Sequence, residues 1–431
     1  MYQHPFLALL ASAVLTNIAL GYIREACPKF SLKWFFWIFA SIPFLIYFRI
    51  KFLISAWLIP VAIVCVMAGQ ILGGRLRRRF FSQEDIEGME QIPDLKIYSK
   101  EGQRIEDGEI MVVLLNMGGP KKISEVRGFL KRIFCDELII RFPFSSISQP
   151  VFANLLVALR GREAERRYGL IGGKSPIFKS TSDQTIAVQN ELNKRGRNLQ
   201  VIFSFNYSNP LPEETITQIK SAGKKYILPL SLYPHYSAAT TGSNTYYLKK
   251  ASRRLYPELN FLSTQSYYLA DSYIEAFAQR VREALPGESL DDFYLLFSAH
   301  GLPLYFLAEG DLYPFQIAQT VAKILDRLAR RHAWAISYQS AVGPMRWLKP
   351  STEAMIKALA RRGIKKLIVV PISFVTDHIE TLCEIDIEYR AFAAGLGIKD
   401  FRMSKALECH PGFINALADC VEESLDSHRE R

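Results

Sequence analysis

Cysteine is scarce in this 431-residue chain. Its six cysteines include no Cys-x-x-Cys pair and no spacing typical of zinc ligands, which excludes a disulfide scaffold and predicts a reducing compartment. The chain also lacks a phosphate-binding loop of the form Gly-x-x-x-x-Gly-Lys-Ser/Thr, a full Gly-x-Gly-x-x-Gly fingerprint and a Gly-x-Ser-x-Gly elbow. Nucleotide-binding and serine-hydrolase chemistry therefore have little support.

Acidic residues are almost absent from the first 79 positions, which hold nine basic residues against the single acid Glu25. The other 352 residues contain 44 basic and 41 acidic side chains, so most of the net charge of +11 lies at the amino terminus. A nearly neutral remainder lacks the basic surface expected of a nucleic-acid binder. We therefore expect no nucleic-acid partner.

The same amino-terminal region contains three apolar runs, at residues 6–23, 34–48 and 52–74. Their number and length predict an all-α transmembrane segment over residues 1–79 rather than a signal peptide. Two arrangements stay open: three spans, or a two-helix hairpin with residues 6–23 lying in the membrane interface. The flanking arginines and lysines place everything after residue 79 in the cytoplasm, as at a bacterial inner membrane. The polar, acidic residues 80–108 are predicted to be a linker.

From residue 109 onward, short apolar runs alternate with longer amphipathic segments, a pattern typical of βαβ units around a parallel sheet. A weak internal repeat relates residues 222–237 to 362–380, and residues 112–120 to 294–303. The predicted fold class is α/β, with two similar Rossmann-like lobes at residues 109–270 and 271–431. Ligands bind beyond the carboxyl ends of parallel strands, so we expect a site in the cleft between the lobes.

Three histidines, His235, His300 and His378, directly follow predicted buried strands. One such histidine is usually a hydrogen-bonded structural residue, whereas three at the same edge indicate a site. Imidazole combined with carboxylate suits a borderline divalent metal such as Fe²⁺.

An acidic segment follows the last of these histidines, with Glu380, Glu384 and Glu388 recurring every four residues. One interpretation is an ordinary acidic helix start, favoured by the helix dipole. The other is an acidic path that conducts cations or protons toward the histidines. Apolar and aromatic residues crowd the neighbouring turns, where they form either core or the wall of a cleft for a flat apolar ligand.

Six long motifs follow one another along the chain. They are LLNMGGP (114–120), YGLIGGKSPI (168–177), LPLSLYPHYSAATTGS (228–243), LLFSAHGLP (295–303), YQSAVGPMRWLKP (338–350) and FVTDHIETLCEIDIEY (374–389). Together they resemble the signature of ferrochelatases, in order from Met111 to Val421. The resemblance implies the chelatase fold and the insertion of Fe²⁺ into protoporphyrin IX to form protohaem, the last step of haem biosynthesis.

The same resemblance implies a set of site residues. His300 and Glu380 match the catalytic pair, which would also contact the metal, and Asp377, His378 and Glu384 match a relay for protons or metal. Ten further residues match positions that bind the porphyrin, among which Arg160 and Ser175 would handle its propionates. They are Met117, Leu130, Ile133, Phe134, Ile139, Ile140, Arg160, Ser175, Trp347 and Phe374.

Four positions distinguish this chain within the pattern. Asn206 stands where many ferrochelatases carry a basic residue, and Glu163 replaces a lysine of animal members. Ala238 occupies the position of a cysteine that ligates an iron–sulfur cluster in animal enzymes, so we expect no cluster and no other tightly bound cofactor. Met117, in place of the tyrosine of coproporphyrin-using relatives, favours protoporphyrin.

The expected partners are a porphyrin, Fe²⁺ as substrate, a membrane and an unidentified enzyme that delivers the porphyrin. Two alternatives stay open. One is a related chelatase that uses coproporphyrin or inserts cobalt. The other is a non-catalytic membrane module that binds haem or metal.

Overall fold

The computed structural model describes residues 4–24, 32–40, 42, 59–80, 105–140, 145–329, 333–343 and 345–429. The chain divides into two compact units. The first consists of Met1–Pro93 and Phe142–Ser145, and the second of Asp94–Arg141 and Ser146–Arg431.

Three helices are described in the first unit: α1 (His4–Arg24), α2 (Leu32–Phe39) and α3 (Ile59–Phe80). Glycine allows α1 and α3 to approach closely, since a Cβ at Gly69 would lie 2.6 Å from the carbonyl oxygen of Val14. A buried polar pair joins the same helices, with Gln70 Nε2 donating to Asn17 Oδ1 at 3.1 Å.

Within the part of the chain that the structure describes, no helix is both long and apolar enough to cross a membrane. The predicted transmembrane segment over residues 1–79 is therefore not supported. The eight residues of α2 rise only about 12 Å, against about 30 Å of membrane hydrocarbon, and α3 ends in four arginines. Residues 43–58 and most of the predicted linker at residues 80–108 lie outside the described residues.

The second unit contains two four-stranded sheets. The first consists of β1 (Ile110–Asn116), β2 (Gln200–Phe205), β3 (Tyr226–Ser231) and β4 (Asn260–Phe261), in the order β2-β1-β3-β4. The second consists of β5 (Tyr294–His300), β6 (Trp334–Gln339), β7 (Lys366–Val370) and β8 (Asp400–Met403), in the order β6-β5-β7-β8. Within both sheets, every described strand pairing is parallel. The predicted α/β class with two similar parallel-sheet lobes is confirmed, while the lobe boundaries stay predictions.

Helices surround both sheets, as parallel crossovers require. Those of the first lobe are α4 (Val126–Phe134), α5 (Ser145–Leu170), α6 (Ile177–Lys194), α7 (Pro212–Ser221) and α8 (Ser243–Leu255). The second lobe and its connections contain α9 (Asp271–Glu283), α10 (Leu304–Ala308), α11 (Tyr313–Arg327), α12 (Thr352–Arg361), α13 (Arg390–Gly395) and α14 (Pro411–Arg429). Two π-helices also occur, the first at Ala238–Gly242 and the second at Glu380–Tyr389.

One hydrophobic core is shared by both lobes, because side chains from the two sheets belong to the same buried cluster. Leu230 of β3, Phe297 of β5 and Phe413 of α14 are members, and burying each such side chain contributes about 1.5–3 kcal/mol. The C-terminal helix also returns to the first lobe, where Arg195 pairs with Asp419 at 2.7 Å. The two sheets are thereby held in one arrangement.

Gly301 directly follows β5 and lies against the next strand. A Cβ there would lie 2.6 Å from the carbonyl oxygen of Gln339 and 3.2 Å from the ring of Trp347. Because that carbonyl belongs to the backbone of β6, it cannot shift to make room for the methyl group. We therefore expect Gly301→Ala to lower the free energy of unfolding by about 1–3 kcal/mol.

Urea denaturation would measure this change. Gly128→Ala in α4 is the matched control, since nothing lies within 4 Å of its added methyl group, and it should be neutral or stabilising by up to about 1 kcal/mol. Equal unfolding midpoints for the two variants would contradict the expectation.

Candidate active site

His300, the last residue of β5, is held through its backbone. Its N–H donates to Ser373 Oγ at 2.8 Å, and its carbonyl accepts from the hydroxyl of Tyr313 at 3.0 Å. Burial lowers the pKa of the imidazole, and the nearby Glu384 only partly opposes this. His300 is therefore neutral near pH 7, with a lone pair that can accept a proton or bind a metal.

Phe374 separates His300 from His378. Its ring centroid lies 6.0 Å from the imidazole of His300 and 5.8 Å from that of His378. His378 is fixed by Thr376, whose Oγ1 lies 2.7 Å from Nε2. Burial, and secondarily His300, lowers the pKa of His378 to about 4, so this second imidazole is also neutral.

Glu380 is the first residue of the second π-helix, a rare conformation that occurs often at functional sites. Its backbone carbonyl accepts from Gln339 Nε2 at 2.9 Å, and Gln339 Oε1 accepts from Ser298 Oγ of β5 at 2.6 Å. Burial raises the pKa of the Glu380 carboxyl to about 7, and the charge of Glu384 acts in the same direction. Such a carboxyl can both take and release a proton near neutral pH.

Two tyrosines of the first lobe, the buried Tyr168 and the half-buried Tyr233, lie in the electrostatic field of Glu380. Burial raises the pKa of both Tyr168 and Tyr233, and the Glu380 charge raises each pKa further. The catalytic candidate from the second lobe therefore faces side chains of the first, as expected for a cleft between the lobes. Both tyrosines belong to motifs that the sequence analysis quoted, but no sequence signal singled them out.

Glu384 is saturated with hydrogen bonds. Its Oε1 accepts from the N–H of Ser340 at 2.9 Å and from the Tyr389 hydroxyl at 2.8 Å, and its Oε2 accepts from Ser340 Oγ at 2.5 Å. Ser340 has φ +63°, a conformation that strains a non-glycine residue and here aims its N–H at the carboxylate. Glu384 therefore anchors the π-helix to the end of β6, and its predicted role as a relay stays a prediction.

Glu388, the third glutamate of the row, is paired across the lobes. Arg167 of α5 donates from Nε to Glu388 Oε1 at 2.9 Å and from Nη2 to Oε2 at 2.5 Å. This bidentate geometry is the strong form of an arginine–carboxylate contact. Of the three glutamate carboxyls, that of Glu380 is thus the one that accepts no hydrogen bond from a side chain in the described part of the chain.

Asp377 has an acidic neighbour that sequence reasoning missed. Its Oδ1 accepts from Thr381 Oγ1 and its N–H donates to Glu408 Oε1, both at 2.9 Å. Burial raises the pKa of Asp377 and that of Glu408. No local pattern connects residues this far apart in the chain, so only the fold reveals the pair.

Six of the ten predicted porphyrin-binding residues lie together, and the other four are separate. Six are half-buried apolar side chains at the end of β1, on α4 and in the turn after it, which we call the lip: Met117, Leu130, Ile133, Phe134, Ile139 and Ile140. The hydroxyl of Tyr305, from the second lobe, donates to the carbonyl of Ile139 at 2.6 Å. Trp347 pairs in β-bridge fashion with Pro303, and its Nε1 donates to the carbonyl of Val342 at 2.9 Å.

Ser175 and Arg160 differ in exposure. Ser175 is buried behind Gly119, and its hydroxyl accepts from the N–H of Ile177 at 3.3 Å, at the start of α6. Arg160 is exposed on α5. Contact of either side chain with a propionate stays a prediction.

His235 is buried between the rings of Tyr268 and Tyr313. Its Nε2 lies 2.9 Å from Thr320 Oγ1, and burial lowers its pKa to about 3. This histidine joins the two lobes, so of the three histidines that follow strands only His300 and His378 lie beside Phe374.

The family model for ferrochelatase matches residues 109–425. The ferrochelatase of Synechococcus elongatus is 40% identical over 328 residues, covering 75% of this chain and 84% of that protein. The chain belongs to the ferrochelatase family. The ferrochelatase of Gloeobacter violaceus is likewise 40% identical over 321 residues, covering 74% of this chain and 98% of that protein. The protein is therefore an enzyme that inserts a metal ion into a porphyrin.

Among solved structures, this ferrochelatase is similar to the sirohydrochlorin chelatase SirB from Bacillus subtilis subspecies spizizenii in complex with cobalt. The TM-score is 0.45 at 11% identity, over 75% of this chain and 98% of that one.

The pKa of Glu380 makes the stability of the enzyme depend on pH. Since that pKa is about 7 in the folded chain against an ordinary 4.5, the folded state binds this proton more tightly than the unfolded state. The resulting stabilisation is present below pH 4.5 and is lost as the pH rises through about 7. Glu380→Gln should therefore raise the free energy of unfolding at pH 8 by about 1–3 kcal/mol, with a smaller gain toward pH 5.

Urea denaturation across pH 5–8 would measure this difference. Glu353→Gln, at an exposed position in α12, is the control and should follow the wild type at every pH. If Glu380→Gln also follows the wild type, burial does not hold the Glu380 proton.

Proposed function

We propose that this enzyme inserts Fe²⁺ into protoporphyrin IX and releases protohaem, the last step of haem biosynthesis. The observation that carries the proposal is the combination at one edge of the second sheet of a neutral imidazole, His300, with a carboxyl of pKa about 7, Glu380. Met117, at the position that carries tyrosine in coproporphyrin-using relatives, supports protoporphyrin as the substrate.

Metallation exchanges two pyrrole protons for one Fe²⁺, so the site must supply proton acceptors and metal ligands that release the ion. In the proposed mechanism, His300 and Glu380 divide these tasks, because neither is committed to a permanent counter-ion. An imidazole and a carboxylate on iron leave most coordination positions open to the porphyrin nitrogens. Asp377 and Glu408, both with raised pKa, would receive protons from the site.

Apolar side chains complete the proposed site. Phe374 and Trp347 would form one wall, and the lip would cover the other face of the macrocycle. Excluding water around the ring strengthens the interaction of its nitrogens with the charged groups. A wall that holds the ring distorted would also turn the nitrogen lone pairs toward the metal.

The proposal includes no iron–sulfur cluster and no other tightly bound cofactor. Ala238, at the cluster position of animal enzymes, begins the first π-helix, and its N–H donates to Asp311 of the second lobe at 3.0 Å. At this point the two lobes are thus connected by a hydrogen bond from the backbone of Ala238 to the carboxylate of Asp311.

The deciding measurement is metallation of protoporphyrin and coproporphyrin, each with Fe²⁺ and with Co²⁺, followed by absorption. We expect Fe²⁺ and protoporphyrin to be the preferred pair. His300→Ala and Glu380→Gln should each lower kcat by at least about a hundredfold, the usual effect of losing a positioned acid or base.

His410→Ala and Glu258→Gln are matched controls that change the same residue types without a contact to His300 or Glu380, and both should retain full activity; Glu258 is exposed in the turn after α8. Preference for coproporphyrin or Co²⁺ would replace the proposed substrate. Full turnover by both site variants would remove His300 and Glu380 from the mechanism.

We further propose that the first unit associates with a membrane, with the catalytic part on the cytoplasmic side. Several described apolar side chains of α1–α3 support this, since Leu15, Phe36, Val64 and Met67 are all more than half exposed. The cluster of four arginines at the end of α3 would contact anionic headgroups.

Fractionation of cells that express the full chain would test this proposal. The protein should sediment with membranes at low salt, and high salt should release part of it, because salt screens the contacts between arginines and headgroups. Recovery in the supernatant under low-salt conditions would contradict it.

A further inference from the structure

A buried carboxylate outside the catalytic pair organises the lip. Asp136, only 2% exposed, lies in the turn that follows α4. Its Oδ2 accepts from the Tyr207 hydroxyl at 2.5 Å and from Ser243 Oγ at 2.8 Å. Its Oδ1 accepts from the Tyr247 hydroxyl at 3.1 Å and from the N–H of Leu138 at 2.8 Å. Four donors satisfy the carboxylate, as burial requires.

Asp136 also sets the path of the residues that follow it. Its carbonyl accepts from the N–H of Ile139 at 3.2 Å and from that of Ile140 at 2.9 Å. Together with the side-chain bond to Leu138, three successive N–H groups of the turn point to one residue. The two isoleucines belong to the lip, so the position of Asp136 determines where their side chains lie.

The donors to Asp136 come from well-buried parts of the first lobe. Tyr207 follows β2, and Ser243 and Tyr247 belong to α8. Asn206, which stands where many ferrochelatases carry a basic residue, donates to Ser243 Oγ at 3.0 Å. In this chain, neutral hydroxyl groups therefore fix the carboxylate, and Asp136 makes no ion pair with any residue that the structure describes.

Two further contacts hold the same turn from other directions. Gln149 of α5 donates from Nε2 to the carbonyls of Ile140 at 2.8 Å and Phe134 at 3.2 Å. Tyr305 approaches from the second lobe and donates to the carbonyl of Ile139, as described above. Hydrogen bonds to Gln149, to Tyr305 and through Asp136 thus hold the lip backbone, and Asp136 makes the largest number of them.

We propose that Asp136 is a positioning residue for porphyrin binding, which holds the lip in the conformation that receives the macrocycle. The inference rests on the proposed function for the identity of the ligand. In the proposed function, the lip contacts the porphyrin equally before and after metallation. Displacing the lip therefore weakens binding of the ground state and of the transition state by the same amount. Such a loss raises KM and leaves kcat unchanged.

The test is a steady-state and binding comparison of the full-length wild type with Asp136→Asn. The amide nitrogen cannot accept from Tyr207 and Ser243, so we expect KM for protoporphyrin to rise about tenfold, as for a lost bond to a charged group. The kcat should stay within about twofold, and KM for Fe²⁺ should not change. Quenching of protein fluorescence by protoporphyrin would give the affinity without turnover.

A milder variant and a matched control complete the experiment. Tyr247→Phe removes the longest of the four bonds and should raise KM by about threefold; it decides the question if Asp136→Asn fails to fold. Tyr256→Phe is the control, because its hydroxyl donates to the carbonyl of Lys224 at 3.0 Å, remote in sequence from the lip, and it should bind porphyrin as the wild type does.

An unchanged KM, or a fall in kcat at constant KM, in Asp136→Asn or Tyr247→Phe would overturn the assignment. The quenching measurement separates this from failure of the proposed function. If the wild type binds but does not metallate protoporphyrin, weaker binding by both variants still supports the role of Asp136, and equal binding overturns it.

Discussion

One buried amide fixes the relative position of the two catalytic candidates. Gln339 ends β6 and lies opposite His300 in the sheet register. Its side chain accepts from Ser298 of β5 and donates to the backbone carbonyl of Glu380. The same side chain therefore hydrogen-bonds to both the strand that carries His300 and the π-helix that begins at Glu380. Because Gln339 and Ser298 are buried, leaving the amide unsatisfied would cost about 1–3 kcal/mol, which makes this geometry strongly preferred.

The chemistry of the site follows from that constraint together with burial. Burial is unfavourable for ionised groups, so it shifts the pKa of His300, His378 and Glu380 toward the neutral form of each. Such shifts suit residues that exchange protons. The charge of Glu384 opposes this shift at His300 and adds to it at Glu380. Fixed donors hold Glu384 in place, and Arg167 holds Glu388. A core shared by both lobes supplies the stability that tolerates these shifts.

Sequence reasoning reached the parts of this structure that depend on local pattern. Alternating apolar and amphipathic segments predicted two parallel-sheet lobes, and the position after a buried strand selected His300 as a candidate together with His235 and His378. It failed where partners come from distant segments. Ser340, Glu408 and the four donors to Asp136 have no sequence signature, and His235 satisfied the same local rule as His300 but is buried between the lobes. The transmembrane prediction relied on apolar runs and their flanking charges. The structure forms helices of 21 and 22 residues there, but no described helix is both long and apolar enough to cross a membrane.

The two lobes contribute different parts of the candidate site. The candidate proton acceptors and metal ligands, His300 and Glu380, lie in the second lobe, where hydrogen bonds link strand ends to the π-helix. The first lobe contributes the lip, whose backbone is held by Asp136, Gln149 and, across the cleft, Tyr305. Since the lip bonds do not involve Gln339, a change in one set need not disturb the other. The lip and its supports can therefore change while Gln339 keeps His300 and Glu380 in the same relative position.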